Sequence, residues 1–302
     1  MEPGFRTDCL LVALRAAKAA GDAILTVYRG EFDVEYKEDH SPLTVADRQA
    51  HAVIKEYLAG GEHLEGIPLL SEEGRFIPHE VRNRWDEFWL VDPLDGTKEF
   101  VKRLDEFTVN IALIQAGKPI LGVVLVPAKD LFYFGLEGLG SYKVGRPEVV
   151  QELSEGIAKA PARDSLLKTL LDESDRLPLR RAGCEEKDPL TVIGSRSHGT
   201  EALGEFVQKV EQRFREVTLI SVGSALKFAL VAEGKADVYP RFGPTMEWDT
   251  AAGQCLVEQS GGTVLELDAQ IPLVYNKREL LNPYFICRAA HCRHLPYPLE
   301  RG

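Results

Sequence analysis

The pattern of apolar and polar positions in the first half of the chain predicts two helices followed by a run of strands. Apolar residues recur at helical spacing over residues 9–25 and again after Thr44, where Thr44 and Asp47 have capping-box spacing. Short apolar runs at 67–70 and 88–91 end in acidic residues, and alternating segments predict a hairpin over 108–126. With further strands near 131–134 and 141–144, the first half is predicted to be a two-helix layer over an antiparallel sheet.

In the second half, strand and helix patterns alternate. The predicted strands are 190–193, 217–220, 236–239, 263–267 and 285–288, and the predicted helices are 201–210, 224–232 and 250–259. This alternation is typical of an α/β domain with a mixed, largely parallel sheet. We expect an N-terminal α+β domain over residues 1–150, a variable charged connection over 151–187, and a C-terminal α/β domain over 188–302.

Composition indicates a soluble globular protein and limits what it can bind. The 302 residues include 36 Lys and Arg against 47 Asp and Glu, a formal net charge of −11. Proteins that bind nucleic-acid polymers without sequence preference need a basic face, so that class is excluded. An anionic ligand would need bound divalent cations to reverse the local charge. No apolar run is long enough for an integral membrane segment.

The five cysteines are an odd number without a CxxC pair, which favours free thiols and a reducing compartment such as the cytoplasm. The stretch 287–294 contains Cys287, His291, Cys292 and His294, a composition also found at zinc sites. Because arginines interrupt this stretch, a strand followed by a tail is the favoured interpretation over a zinc site.

The strongest chemical signal is a set of carboxylates at the ends of predicted elements. In Asp92-Pro-Leu-Asp95-Gly96, the proline fixes φ and the glycine permits a tight turn, so the two acids can converge. Glu72 follows a strand and Asp249 begins a helix, where each acid by itself is more often a cap or a turn residue. Together, these hard oxygen ligands predict magnesium and phosphoryl-transfer chemistry.

Three motifs resemble the metal motifs of the inositol monophosphatase superfamily, in the same order: Ser71-Glu-Glu-Gly74, Asp92-Pro-Leu-Asp-Gly-Thr97 and Trp248-Asp-Thr-Ala-Ala252. Four further segments are similar to the bacterial 3'(2'),5'-bisphosphate nucleotidases of that superfamily: 95–100, 106–111, 223–228 and 239–244. The resemblance covers about residues 10–290. It implies an inositol monophosphatase-like layered sandwich of α+β and α/β parts, in the order αβαβα.

The resemblance also implies which groups hold the metal ions. Glu72, Asp92 and the carbonyl of Leu94 would hold one magnesium ion, while Asp92, Asp95 and Asp249 would hold a second. A third, weaker ion near Glu72 would make two or three in all. The attacking water would be positioned and activated by Asp47 and Thr97. None of the seven histidines lies in these motifs, which agrees with an activated water in place of a histidine base.

The substrate implied by the resemblance is 3'-phosphoadenosine 5'-phosphate, together with its sulfated parent 3'-phosphoadenylyl sulfate. The products would be AMP or adenylyl sulfate. Ser195 and His198 are expected near the nucleotide, and Lys227 and Arg241 near its 5'-phosphate, with Lys227 acting as a mobile point charge. The full set of expected substrate contacts is Glu72, Leu94, Asp95, Gly96, Thr97, Ser195, His198, Ser224, Lys227, Arg241 and Asp249.

Two alternatives stay open at this point. An inositol- or sugar-phosphate phosphatase of the same superfamily would share the metal motifs and differ in the second-domain cations. A regulator that binds metal and nucleotide without turnover is the alternative from another class. The resemblance further implies lithium sensitivity and leaves peripheral attachment to the inner membrane and the oligomeric state open.

Overall fold

The computed structural model describes residues 3–32, 34–36, 42–60, 64, 66–144, 149–150, 163–179, 183–185, 188–196 and 201–295. In chain order the helices are α1 (Pro3–Arg29), α2 (Val45–Ala59), α3 (His79–Arg82), α4 (Thr97–Val101), α5 (Arg163–Asp172), α6 (Glu201–Glu211), α7 (Leu226–Ala232) and α8 (Glu247–Gln259). Short 3-10 helices cover Pro127–Lys129 and Ala290–Cys292. No helix in these ranges is long and apolar enough to cross a membrane.

The strands form three sheets. They are β1 (Val34–Tyr36), β2 (Pro42–Thr44), β3 (Leu69–Ser71), β4 (Glu87–Asp95), β5 (Thr108–Gln115), β6 (Lys118–Val126), β7 (Leu131–Leu136), β8 (Gly140–Val144), β9 (Asp175–Arg176), β10 (Pro189–Ser195), β11 (Glu216–Val222), β12 (Val238–Arg241), β13 (Thr263–Glu266) and β14 (Phe285–Arg288). β1 and β2 pair alone, β3 to β9 form a seven-stranded sheet in sequence order, and the five-stranded sheet has the order β11-β10-β12-β14-β13.

Helices and sheets alternate in five layers, as predicted. α1 and α2 cover one face of the seven-stranded sheet, α7 and α8 lie between the two sheets, and α6 packs on the outer face of the five-stranded sheet. Because successive strand residues face opposite sides, Val109 and Ile111 of β5 enter the first core, while Ala112 and Ile114 enter the second. The seven-stranded sheet is therefore buried on both faces.

Strand directions are mixed in both sheets. In the first sheet β3 and β4 are parallel and the remaining pairs are antiparallel. In the second, β10 pairs in parallel with β11 and β12, whereas β14 is antiparallel to β12 and β13. The described part of this sheet is thus less parallel than predicted, because the chain after α8 returns through β13 and a long connection to β14.

Part of the predicted connection over 151–187 is regular structure. α5 contacts α1, and β9 pairs antiparallel with β8 at the edge of the seven-stranded sheet. Much of the rest of this connection lies outside the described residues. The predicted domain boundaries stay a prediction, but β9 adds one short strand to the first sheet and α5 packs on its helical layer.

The prediction that all five cysteines are free thiols is wrong for two of them. Cys184 and Cys292 form a disulfide with a Cα–Cα distance of 5.2 Å, while Cys9, Cys255 and Cys287 are free and buried. The two bonded residues are 108 positions apart, so their spacing in the sequence gave no sign of the pair. The cytoplasmic location that rested on unpaired cysteines stays a prediction.

Candidate active site

The first two carboxylates are adjacent because the strands that precede them are parallel neighbours. In the pairing of β3 with β4, Ser71 lies opposite Val91, and the backbone N–H of Glu72 donates to the Val91 carbonyl at 3.1 Å. Parallel strands end at the same edge of a sheet, so Glu72 and Asp92, each one residue further along, emerge side by side. Asp92 is buried, with 1% of its surface exposed.

A β-bulge brings Asp95 to the same side of the sheet as Asp92. Asp92 lies opposite Asn110 and Asp95 opposite Thr108, so β4 has one residue more than β5 over this interval. Residues three apart in a regular strand face opposite sides, and one inserted residue reverses that relation. The Leu94 N–H donates to Asp92 Oδ1 at 3.1 Å, which holds the turn between the two acids.

The remaining carboxylate comes from the second half of the chain. Asp249 lies in the first turn of α8, where its Oδ2 accepts a hydrogen bond from the Met246 N–H at 2.9 Å. α8 packs so closely on β6 that a Cβ at Gly122 would lie 2.4 Å from the Ala252 carbonyl oxygen. This close packing fixes where the first turn of α8, and therefore Asp249, meets the seven-stranded sheet.

Asp95 accepts hydrogen bonds from both halves of the molecule. Its Oδ2 accepts hydrogen bonds from the Ala225 N–H at 2.6 Å and from Asn110 Nδ2 at 3.3 Å. Among the residues that the structure describes, no donor reaches Oδ1 of Asp95 or Oδ1 of Asp249. Each of these acids is therefore oriented through one oxygen and keeps the other for a ligand.

The clustering of acids is electrostatically unfavourable without cations. Burial, followed by the charge of Glu72, raises the pKa of Asp92 well above its ordinary value. Burial, followed by the charge of Asp95, does the same to the pKa of Asp249. The pKa of Asp95 is also raised by burial, against the opposing effect of Lys227. A divalent cation would relieve this repulsion, and carboxylate and carbonyl oxygens are the ligands that magnesium prefers.

Asp47 forms the predicted capping box and also lies beside Thr97, while its predicted role in activating water stays a prediction. The capping box is confirmed, because Asp47 Oδ2 accepts hydrogen bonds from the Thr44 N–H at 2.8 Å and from Thr44 Oγ1 at 2.7 Å. Asp47 Oδ1 lies 3.4 Å from Thr97 Oγ1, which is also 3.3 Å from the Leu94 carbonyl oxygen. The cap thus fixes Asp47 while the other oxygen meets Thr97.

Gly96 and Ser224 lie at a close contact between the two halves beside the acids. Gly96 has φ of +90°, and a Cβ there would lie 3.2 Å from both Ser224 Cβ and the Glu106 carbonyl oxygen. Ser224 itself has φ of +52°, a left-handed conformation that is uncommon for a residue with a side chain. Such backbone geometry is concentrated at functional sites.

These residues surround a cavity of about 470 Å³ between the two halves. The predicted residues that line it are Glu72, Asp92, Leu94, Asp95, Gly96, Thr97, Ser195, Ser224, Lys227, Arg241 and Asp249. Asp47 lies behind Thr97, outside the lining, and His198 lies outside the described residues. The lining residues that sequence reasoning missed include Phe228, Tyr239 and Thr245, which flank Lys227 and Arg241 in the chain.

The cations of the cavity are held more tightly than predicted. Lys227 was expected to be a mobile point charge, but it is buried and its Nζ donates to the Ser224 carbonyl at 2.5 Å. Burial lowers its pKa to about 8, although Asp95 opposes this shift. Arg241 donates from Nε to the Gly243 carbonyl at 3.2 Å, which leaves part of its guanidinium facing the cavity.

A clamp between the two halves was not predicted. Glu106 accepts two hydrogen bonds from the Arg196 guanidinium, at 2.9 and 2.8 Å, and one from the Gly223 N–H at 2.9 Å. Although burial raises the pKa of Glu106, the Arg196 contact holds it below its ordinary value. The segment 106–111 is one of the four that are similar to bisphosphate nucleotidases, but its sequence does not indicate which residue Glu106 contacts.

The raised carboxyl pKa values predict how stability depends on pH and magnesium. A carboxyl whose pKa is higher in the folded protein than in the unfolded chain stabilises the fold while it is protonated. That contribution is lost as the pH rises from the pKa of the unfolded chain through the pKa of the folded protein. Without metal, we expect the temperature of the unfolding midpoint to decrease as the pH is raised from 5 to 8. Magnesium should increase that temperature most at pH 8. Thermal unfolding with EDTA or magnesium measures this.

In the same experiment Asp92→Asn should flatten the pH profile and reduce the effect of magnesium, because the substitution removes a buried carboxyl whose pKa is raised by burial and by Glu72. An exposed control, Asp86→Asn, should behave like the unaltered chain. A midpoint that does not respond to magnesium at pH 8 would contradict a metal site at these acids.

Comparison with known proteins places the chain in a family. A model described as the inositol monophosphatase family matches residues 6–294. The 3'(2'),5'-bisphosphate nucleotidase CysQ of Escherichia coli strain K12 is 43% identical over 272 residues, which cover 89% of this chain and 95% of that protein. The corresponding CysQ of Haemophilus influenzae is 33% identical over 277 residues, covering 90% of each protein.

Solved structures agree. The crystal structure of CysQ from Bacteroides thetaiotaomicron, a bacterial member of the inositol monophosphatase family, has a TM-score of 0.78 and 44% identity and covers 93% of this chain and 97% of its own. The Thermotoga maritima IMPase, at 22% identity with a TM-score of 0.67 and covering 92% of this chain and 91% of its own, shares the fold. This chain belongs to the inositol monophosphatase family.

Proposed function

We propose that this protein is a magnesium-dependent phosphatase that removes the 3'-phosphate from 3'-phosphoadenosine 5'-phosphate and leaves AMP. The observation that carries the proposal is a single cavity lined both by the converging carboxylates and by the buried cations Lys227 and Arg241. Relatives at 43–44% identity that bear the name 3'(2'),5'-bisphosphate nucleotidase support the choice of substrate. The sulfated nucleotide 3'-phosphoadenylyl sulfate is the second proposed substrate.

The carboxylates supply two overlapping metal-binding sets. Glu72, Asp92 and the Leu94 carbonyl would hold one magnesium ion, and Asp92, Asp95 and Asp249 the other, with a third ion near Glu72. The chemistry that magnesium supplies when bound is a lower pKa for the attacking water, about 15.7 in bulk, and compensation of charge on the phosphoryl oxygens. The raised pKa values of Asp92 and Asp249 in the metal-free protein support this assignment.

Thr97 and Asp47 orient the attacking water. The Thr97 hydroxyl lies 3.4 Å from Asp47 Oδ1 and can donate to it, which leaves its lone pairs to accept a hydrogen bond from the water. Asp47, fixed by the helix cap, then receives the proton. The water oxygen forms a bond to phosphorus, the bond from phosphorus to the 3'-oxygen breaks, and that oxygen leaves with the bonding electrons and takes up a proton from solvent water, to which Asp47 returns the proton it received.

The second half of the chain selects the substrate. Lys227 and Arg241 would bind the 5'-phosphate, with Ser195, Ser224 and His198 close to the nucleotide. Their cationic groups are fixed by backbone carbonyls before substrate arrives, so little conformational entropy is lost on binding. A monophosphate without a 5'-phosphate would leave these buried charges without a partner.

Phosphate release across a panel of substrates tests the proposal. With magnesium, we expect kcat/KM for 3'-phosphoadenosine 5'-phosphate to exceed that for inositol 1-phosphate or a sugar phosphate by about 100-fold, because hydrogen bonds to charged groups contribute about 1.5–3 kcal/mol each. Equal or reversed preference would favour an inositol- or sugar-phosphate phosphatase. Nucleotide binding without phosphate release from any substrate would favour the silent regulator and contradict the enzyme.

Lys227→Met tests recognition of the 5'-phosphate, since it removes the charge but keeps a long side chain. We expect kcat/KM to fall by about 10- to 100-fold for the bisphosphate and to change little for 3'-AMP. Lys209→Met, at an exposed position on α6, is the matched control and should change neither value. Equal losses on both substrates would argue against this role for Lys227.

A further inference from the structure

Four side chains with metal-binding atoms meet outside the candidate active site. Asp237, His291 and Cys292 place their ligand atoms within 4.8 Å of one another, and Cys184 is bonded to Cys292 through sulfur. Two sulfurs, an imidazole and a carboxylate are a donor set typical of zinc. This group is called the Cys–His–Asp cluster below.

The cluster lies at the far end of the five-stranded sheet from the cavity. Cys184 comes before β10 and Asp237 directly before β12, while the residues that end these two parallel strands, Ser195 and Arg241, line the cavity. At about 3.3 Å per residue, the length of β12 alone separates Asp237 from Arg241 by about 13 Å. The cluster is therefore separate from the acids proposed to hold magnesium.

The backbone fixes the carboxylate of the cluster. Asp237 Oδ2 accepts the Thr191 N–H at 2.6 Å, the Asp237 N–H donates to the Thr191 carbonyl at 2.9 Å, and the Ala289 N–H donates to the Asp237 carbonyl at 2.9 Å. Since β14 runs antiparallel to β12, the 3-10 helix with His291 and Cys292 begins beside Asp237. All four side chains thus belong to segments tied to the sheet.

His291 supplies the imidazole of the cluster. Its side chain is only 9% exposed, and Nε2 is 2.7 Å from Asp237 Oδ1. Its other nitrogen, Nδ1, is buried and has no hydrogen-bond partner among the described residues. Nε2 is therefore the ring nitrogen that lies beside the Asp237 carboxylate in the cluster, and a metal ion bound to both groups would replace their hydrogen bond.

We propose that, when Cys184 and Cys292 are thiols, the Cys–His–Asp cluster binds one zinc ion. A dithiol or phosphine reductant supplies two electrons that open the disulfide, two protons complete the thiols, and zinc binding then releases two protons as the thiolates form. Cys292 is fully buried and Cys184 is 7% exposed, so the site is closed, as in structural rather than catalytic zinc sites. Zinc would take over from the disulfide in joining the segment before β10 to the chain after β14.

The experiment uses the full-length protein, oxidised or reduced with a phosphine under anaerobic conditions, followed by addition of zinc or cobalt and removal of free metal. For the reduced protein we expect about one cobalt ion per chain with the thiolate-to-cobalt charge-transfer absorption of a tetrahedral site. The oxidised protein should lack this absorption. Because the readout requires thiolate ligands, metal bound to the active-site carboxylates does not contribute to it.

Matched variants locate the site. His291→Ala should reduce cobalt affinity at least about tenfold, whereas His294→Ala, an exposed histidine three positions away, should leave it unchanged. Cys184→Ser should remove the absorption, and Cys9→Ala should retain it. Two results for the reduced, unaltered protein together would overturn the proposal: no charge-transfer absorption with cobalt, and equal reaction of Cys184 and Cys292 with a thiol reagent with or without zinc. These measurements do not depend on whether any variant folds.

Discussion

The whole arrangement depends on bringing Glu72, Asp92, Asp95 and Asp249 together in one buried cleft. Like charges repel strongly where water is excluded, and the pKa values of these acids are raised first by burial and then, for Asp92 and Asp249, by the charges of neighbouring acids. The parallel pair of β3 and β4, the bulge in β4 and the first turn of α8 all have the effect of directing these acids to one place. Without bound cations, this cluster of buried acids is therefore energetically unfavourable.

The negative net charge of the chain is compatible with an anionic substrate if cations bind in the cavity. A chain of net charge −11 is a poor binder of polyanions, yet this family acts on phosphate esters. Two magnesium ions would bring the net charge to about −7, with the change concentrated in the cavity that contains Lys227 and Arg241. On the proposed function, positive charge would thus be local and mostly supplied by metal, which agrees with an acidic net charge for the whole chain.

Local signals predicted most of the fold and of the cavity. The capping box at Thr44, the acids after buried strands and the α/β alternation all depend on neighbouring residues, so the sequence was sufficient for them. The disulfide of Cys184 with Cys292 and the clamp of Glu106 on Arg196 join distant segments, and nothing near either partner indicates the other. The close contact of Lys227 with the Ser224 carbonyl depends on the left-handed turn at Ser224, which its residue type does not favour.

Turnover by Asp92→Asn tests the central claim most directly, because this acid is proposed to contact both magnesium ions. We predict that kcat for 3'-phosphoadenosine 5'-phosphate falls by at least about 1000-fold at saturating magnesium, while circular dichroism shows a folded protein. The loss should appear in kcat rather than in KM alone, since the residues proposed to bind the 5'-phosphate, Lys227 and Arg241, lie on the other half of the chain. Near-normal kcat in the folded variant would contradict the account.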